Sequence, residues 1–432
     1  MAEHGRRRRQ LMQMLDADAV VLLAAAPRRV RSGDIEWPYR QDSDFLYLSG
    51  YDRPDAVLAL LPGRRHGETV LFCRERDPQR ERWHGPDIGT EGAVRDYGVD
   101  DAFPIEDIDD ILPGMIEGRV RIYCTFGRDP DFDAQLQGWL DRLRQLRGGG
   151  VAAKELLALG HLLHDLRLFK SRGELQHIRE AVVTASEGIR AAMLAVRPGV
   201  PEYQLEAAVL HAIRMRGAQP AFMPVVASGE RGCILHHQAG RDPLADGELV
   251  LVDAGAEIGG YASDLCRSFP VNNRFSEPQR ALYALVLAAQ TAAIDQVRPG
   301  RPFEAAHGAA VRVLTEGLCR LGLLPGEPAL RLAEQAWRRF FPARTCHWLG
   351  LDVHDVGDYQ VGGASRVLEP GMVLTVEPGL YIPFDATDLD PRWRGIGVRI
   401  EDVVVVTREA PEVLSAQLPR SVEAIEALLA SR

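Results

Sequence analysis

Two stretches far apart in the chain carry nearly the same message, GELVLVDAG at 247–255 and PGMVLTVEPG at 370–379. Each is an apolar, β-branched run, the composition of a buried strand, and each delivers one carboxylate at its end, Asp253 or Glu377. A second strand-like run follows each of them, GYASDLCRSFPV (260–271) and GIGVRIEDVVVV (395–406), and these carry Asp264 and Glu401. Between the halves lies CHWLGLDVHDVG (346–357), with two histidines. Packing alone does not explain a repeated strand pair with acids at matching places, because carboxylates at the ends of buried strands must meet something that neutralises them. A metal site answers that need.

The repeat extends outward. AMLAVRPGVPEYQLEAAVLHAI (192–213) resembles AIDQVRPGRPFEAAHGAAVRVL (293–314), each reading as helix, VRPG turn and helix, with Pro198 and Pro299 at corresponding turns. Two helix pairs, each followed by an acid-bearing strand pair, predict a duplicated α+β unit with pseudo-twofold symmetry, in which the four acids converge. Ser171-Arg172-Gly173-Glu174 is a capping box that opens a long helix through 195. Upstream, from about 18 to 130, short apolar runs (VVLLAAA, AVLALLP, TVLFC, VRIYCTF) alternate with polar or helical stretches, the pattern of an α/β domain. Residues 131–147 read as an amphipathic helix ending at a Gly148-Gly149-Gly150 break, and 151–169 as a second helical stretch. The boundary falls near 165–172, giving domains of 1–168 and 169–432.

Charge narrows the partners. With 51 Lys plus Arg against 61 Asp plus Glu, the net charge of −10 argues against nucleic acid or an anionic membrane and favours small substrates. The run VVLLAAAP (20–27) is too short to span a bilayer, and Arg6 to Arg9 read as an exposed helix start. Six cysteines without a C-x-x-C pair fit a reducing cytoplasm, and Cys346 reads as a small buried apolar residue rather than a ligand.

Gly259-Gly260 is a strong hairpin signal, and a turn there predicts Asp253 and Asp264 as a cross-strand pair with Cβ atoms about 5 Å apart. Carboxylates that close repel unless a proton or a cation lies between them. The alternative, two acids on a solvated hairpin face, is disfavoured by the LVLV flank and by the repetition. Arg399 and Glu401, two apart on one strand, share a face, so Arg399 points into the same cavity as a structural or substrate-orienting cation. Four carboxylates and one imidazole suit two divalent ions bridged by a solvent molecule, which leaves other histidines to contact substrate. His347, His354 and His236, with His237 beside it, are the candidates. An oxygen-rich ligand set favours Mn²⁺ or a similar hard ion, with Zn²⁺, Co²⁺ and Fe²⁺ also admissible. Two ions about 3.5–4 Å apart can hold a hydroxide and polarise a carbonyl, the machinery of a metallohydrolase.

Asp253, Asp264, His347, Glu377 and Glu401, set in LVDAG, SDLCRSFP, HWLGLDVHD, LTVEPGLY and GIGVRIED, closely resemble the pita-bread dinuclear metallopeptidases, specifically the aminopeptidase P family. The resemblance extends to YRQDSDFLYLSGYDRPDAVLAL (39–60), LRLFKSRGE (166–174) and SGERGCILHH (228–237). It implies an α+β pita-bread catalytic domain, an α/β creatinase-like amino-terminal domain, and release of an N-terminal residue from peptides with proline second. It also implies that those five residues hold two ions, Glu401 and Asp264 bridging them. By the same resemblance Glu377 shuttles a proton, His354 stabilises the oxyanion and His236 lines the proline pocket. Arg399 would pair with Asp34 of the amino-terminal domain. Trp83 would reach a neighbouring subunit's active site, so a homodimer or homotetramer is expected.

Two positions depart from the family pattern. Ala343-Arg344 stand where a His-Gly pair is usual, and Phe222 stands where a tyrosine is frequent. Arg344, two residues from Cys346, is expected to offer a cation to the substrate's distal carboxylate or carbonyls. The rival functions are a prolidase restricted to Xaa-Pro dipeptides, a relative that hydrolyses phosphotriesters adventitiously, a creatinase-like amidinohydrolase and a metal-free peptide-binding module on the same fold.

Overall fold

The apolar runs of the amino-terminal part become strands of one mixed sheet. In the computed structural model, which describes residues 2–146 and 150–431, its six strands run in the order Asp101–Pro104, Thr69–Cys73, Val57–Leu60, Ala19–Ala24, Arg121–Cys124 and Glu155–Ala158. Ala19–Ala24 pairs antiparallel with Val57–Leu60 and parallel with Arg121–Cys124. Val20, Leu22, Phe72 and Ile122 pack with Leu112, Leu136 and Trp139 from covering helices. Strands covered on both faces read as continuous apolar runs rather than alternating ones.

Two expectations fail in this unit. Arg7 and Arg8 are buried, and only Arg6 and Arg9 of that run are exposed. Arg7 Nη1 donates to the Tyr47 carbonyl at 3.1 Å and Arg8 Nη1 to the Leu48 carbonyl at 2.9 Å. They satisfy the last carbonyls of the helix Ser43–Ser49, which have no partner within their own helix. Part of the first half of 151–169 is a strand. Glu155–Ala158 pairs parallel with Arg121–Cys124, and helix begins only at Gly160–Leu168. A short apolar run has no period of its own to choose helix over strand, and an open sheet edge supplies the hydrogen bonds that decide it. The amphipathic helix is observed as Pro130–Gln145, while Gly148 and Gly149 of the expected break lie outside the described residues.

The chain divides into two compact units, Met1–Leu166 and Arg167–Arg432. The second is built twice. Helices Arg172–Ala195, whose capping box forms as read, and Glu202–Met215 lead into a sheet of Val225–Ser228, Leu249–Ala254 and Leu265–Pro270. Helices Glu277–Ile294 and Glu304–Arg320 lead into a sheet of Val373–Val376, Asp402–Val405 and Glu412–Val413. This is the pita-bread α+β architecture. The halves are sewn together at a bridge between Cys266 and Glu401, where the Glu401 amide donates to the Cys266 carbonyl at 3.0 Å. Behind that seam Arg267 and Asp402, both fully buried, pair at 2.7 Å. Among the described residues, no helix is long and apolar enough to cross a membrane.

Candidate metal centre

The first ligand hairpin turns on Gly259 and Gly260, whose φ values of +59° and +83° suit a two-residue turn that L side chains resist. That turn sets Ile258 opposite Tyr261 and therefore Asp253 opposite Cys266, not opposite Asp264. The expected cross-strand pair is thus corrected by two residues. An even shift leaves both acids on one face, now as diagonal neighbours. Gly255 allows the strands to close, since a Cβ there would lie 2.0 Å from the Ser263 carbonyl oxygen. In the second half, the pairs Val376–Asp402 and Gly379–Arg399 flank Glu377 and Glu401 and set these acids opposite each other. Arg399 and Glu401 fall in a broken strand, Gly397–Arg399 and then Asp402–Val405, yet both face the site.

His347 is delivered by a segment stitched to Val373–Val376. The Thr375 amide donates to the His347 carbonyl at 3.0 Å, and the Glu377 amide to the Thr345 carbonyl at 2.7 Å. Its Nδ1 lies 3.0 Å from the Trp348 carbonyl, which leaves Nε2 aimed at the acids, 3.5 Å from Asp264 and 3.6 Å from Glu377. Ligand atoms of Asp264, His347 and Glu401 all lie within 4.8 Å of one another. Asp253 and Glu377 line the same cavity of about 470 Å³.

The electrostatics call for positive charge. Burial pushes Asp253 up to about 7 against the pull of Arg399, with Asp264 and Glu377 adding repulsion. Burial likewise raises Glu377 to about 7, although His347 and Arg399 oppose it. Glu401 lies well above the usual carboxylate range through burial and the charges of Asp264 and Glu377. Burial lowers His347, but Asp264 and Glu377 more than offset this and hold it at about 9. Asp253 Oδ1 and Glu401 Oε1 are buried without a hydrogen-bond partner. Orphaned acceptors, mutually repelling acids and a preset imidazole nitrogen are what divalent cations would satisfy, so the residues fit a metal site.

Nine predicted residues meet at this cavity: the five ligand candidates with Arg399, His354, His236 and Arg344. The His354 ring packs edge-on to His347, centroids 4.4 Å apart, and burial followed by the His347 charge lowers its basicity. Arg399 pairs with Asp253 and donates to the Tyr381 hydroxyl at 3.0 Å. Arg344 stands exposed at the rim, with Glu304 at 3.4 Å. Asp34 and Trp83 belong to the first unit; Asp34 is exposed in a hairpin turn, and Trp83 is 83% exposed on the helix Pro78–His84.

Residues 176–408 match the metallopeptidase family M24, and residues 4–123 match the aminopeptidase P N-terminal domain. The chain belongs to metallopeptidase family M24, in its aminopeptidase P branch. It is 41% identical to the Xaa-Pro aminopeptidase of Escherichia coli over 430 residues, covering 99% of this chain and 97% of that protein. It is 36% identical to human Xaa-Pro aminopeptidase 3, covering 98% of this chain and 85% of that one. The solved structure of Pseudomonas aeruginosa aminopeptidase PepP superposes with a TM-score of 0.98 at 52% identity, covering 100% of this chain and 98% of that one.

This M24 metallopeptidase also holds its site with residues that motif reading passed over. Fully buried Glu202 accepts from the Ser228 amide and hydroxyl and from Arg231 Nε at 2.8 Å, and from the Gly240 amide at 2.9 Å. His237 Nε2 lies 2.8 Å away, so one carboxylate pins the loop that carries His236. Burial alone would raise Glu202, yet these donors hold it down at about 2. Asp355 does the same for the His354 segment, through Arg167 at 2.5 Å and Lys170 at 2.9 Å, all three buried. The cations lie in LRLFKSRGE, whose mixture of charge and apolar residues was the available signal; Glu202, one acid at an ordinary helix start, had none.

Proposed function

We propose that this enzyme releases the N-terminal residue from peptides with proline in the second position, using two divalent ions held by Asp253, Asp264, His347, Glu377 and Glu401. The observation that carries the reading is the buried cavity of four acids around one imidazole, with the orphaned oxygens of Asp253 and Glu401. The Xaa-Pro aminopeptidases it resembles along its length support the substrate class. An oxygen-dominated donor set favours Mn²⁺, with Zn²⁺, Co²⁺ or Fe²⁺ as substitutes. Such ions supply a hydroxide at neutral pH and a Lewis acid for the scissile carbonyl.

The chain's own residues do the rest. Glu377 takes the proton of the attacking water on a carboxylate oxygen and returns it to the proline nitrogen. His354, its basicity lowered, stays neutral near pH 7 and donates its N–H to the tetrahedral oxyanion. His236 walls the proline pocket, and Arg399 orients Asp253 through their ion pair. Arg344, at the rim, receives the substrate's distal carboxylate. If Arg344→Gly leaves KM for short Xaa-Pro peptides unchanged, that role is wrong. As the resemblance implies, Asp34 and Trp83 are substrate-binding residues of the amino-terminal unit, Trp83 serving a second subunit of a homodimer or homotetramer. Its exposure supports the latter, and six free cysteines support a cytoplasmic setting. Chelator-stripped protein should cleave Xaa-Pro-Yaa tripeptides only after Mn²⁺ is restored. Cleavage of Xaa-Pro dipeptides alone would make it a prolidase, and cleavage of neither a binding module.

A further inference from the structure

A second cavity of about 660 Å³ adjoins the first, and the two share His236, Asp253, Asp264 and His354. Away from those shared residues its lining combines an apolar stretch, Phe222, Met223, Pro224, Val225 and Val353, with His237, Gln238 and Glu206. Glu206 lies one turn after Glu202 on the helix Glu202–Met215, so the two side chains share a face. Their fates differ. Glu202 has five donors, whereas Glu206 has no hydrogen bond or ion pair among the described residues. Burial raises the Glu206 carboxyl, as expected of an acid in partly apolar surroundings without a counter-ion.

The cavities flank the same acids, so a peptide whose scissile bond lies there sends its two ends into different lobes. The first lobe carries the Arg344 cation on its rim, which suits the segment ending in a C-terminal carboxylate. The second lobe is left for the side chain of the N-terminal residue. We propose that this lobe selects arginine or lysine ahead of proline, with the methylenes against Phe222, Met223, Pro224 and Val353 and the cation on Glu206. An apolar stretch beside Glu206, the one carboxylate of this lining not claimed as a metal ligand, matches a long cationic side chain, which buries its stem and keeps its charged head paired. This specificity rests on the Xaa-Pro aminopeptidase reading above.

The test compares kcat/KM of the Mn²⁺-loaded full chain for Arg-Pro-Ala and citrulline-Pro-Ala, peptides alike in shape and in their α-amino group. The wild type should favour arginine by about tenfold at low ionic strength, the size expected of one charge-assisted contact discounted for partial exposure. The ratio should fall to within about twofold in Glu206→Gln, and in the wild type it should shrink when salt is raised from about 0.05 M to about 0.5 M. The salt series keeps the test valid if the variant folds poorly. A wild-type ratio near one, or a preference that survives both Glu206→Gln and salt, overturns the proposal while leaving Xaa-Pro cleavage standing. Failure to cleave either peptide removes both together.

Discussion

The two halves of the catalytic unit share a plan but present their acids differently. In the first half Asp253 and Asp264 are diagonal neighbours and line both cavities; in the second half Glu377 and Glu401 face each other and line only one. The duplicated fold thus brings four carboxylates together, and on the proposed reading the halves would serve different ends of a substrate. The first half adjoins the lobe with Glu206, and the second shares its lobe with Arg344. On that reading, a repeated plan with shifted register would give the site its direction.

That comparison can be broken at its centre. His347, which stands between the halves, should be the most damaging position: His347→Ala is expected to cost roughly a thousandfold or more in kcat/KM, several kcal/mol of transition-state stabilisation, with loss of bound metal. Metal content beside kinetics checks both. The seam behind the acids should cost stability first. Arg267→Ala removes the buried cation paired with Asp402 and leaves that acid only Gln290, Ser415 and the more distant Arg420, an expected loss of about 2–4 kcal/mol in urea unfolding.

Sharper tests act on one half alone. Glu202→Gln should destabilise the fold by about 1–3 kcal/mol and raise KM more than it lowers kcat, because it frees the His236 loop while the ligands stay in place. A smaller effect is expected from pH. Asp253 and Glu377 stand at about 7 in the folded metal-free chain, against about 4 when unfolded. Such raised values contribute stability that is full below about 4 and is lost as pH climbs through about 7. Metal-stripped protein should therefore melt a few degrees lower at pH 8 than at pH 5, and Mn²⁺ should raise Tm more at pH 8. A Tm that rises across that range without metal contradicts the electrostatics described for the site.

The site was more legible than its supports. Four acids at the ends of β-branched runs announce themselves because buried charge is rare, and the capping box at Ser171 and the VRPG turns are local signals that fold as read. The turn fell where expected, on Gly259 and Gly260, but a two-residue turn there pairs positions that sum to 519, so Asp253 meets Cys266 and Asp264 becomes its diagonal neighbour. The strand Glu155–Ala158 and the buried Arg7 and Arg8 owe their states to a sheet edge and to helix carbonyls distant in sequence. No local pattern encodes such partners. The same holds for Glu202, which becomes a hub only once the loop of 228–240 folds over it.

The claim on which everything else depends is that both halves together hold two ions and that cleavage requires them. Chelator-stripped protein titrated with Mn²⁺, with bound metal counted while cleavage of an Xaa-Pro-Yaa tripeptide is followed, addresses it directly. The expected result is activity that rises with metal and saturates at two ions per chain, with Glu401→Gln lowering both occupancy and rate. Full cleavage without metal, or saturation at two ions with no cleavage of any Xaa-Pro peptide, would contradict it.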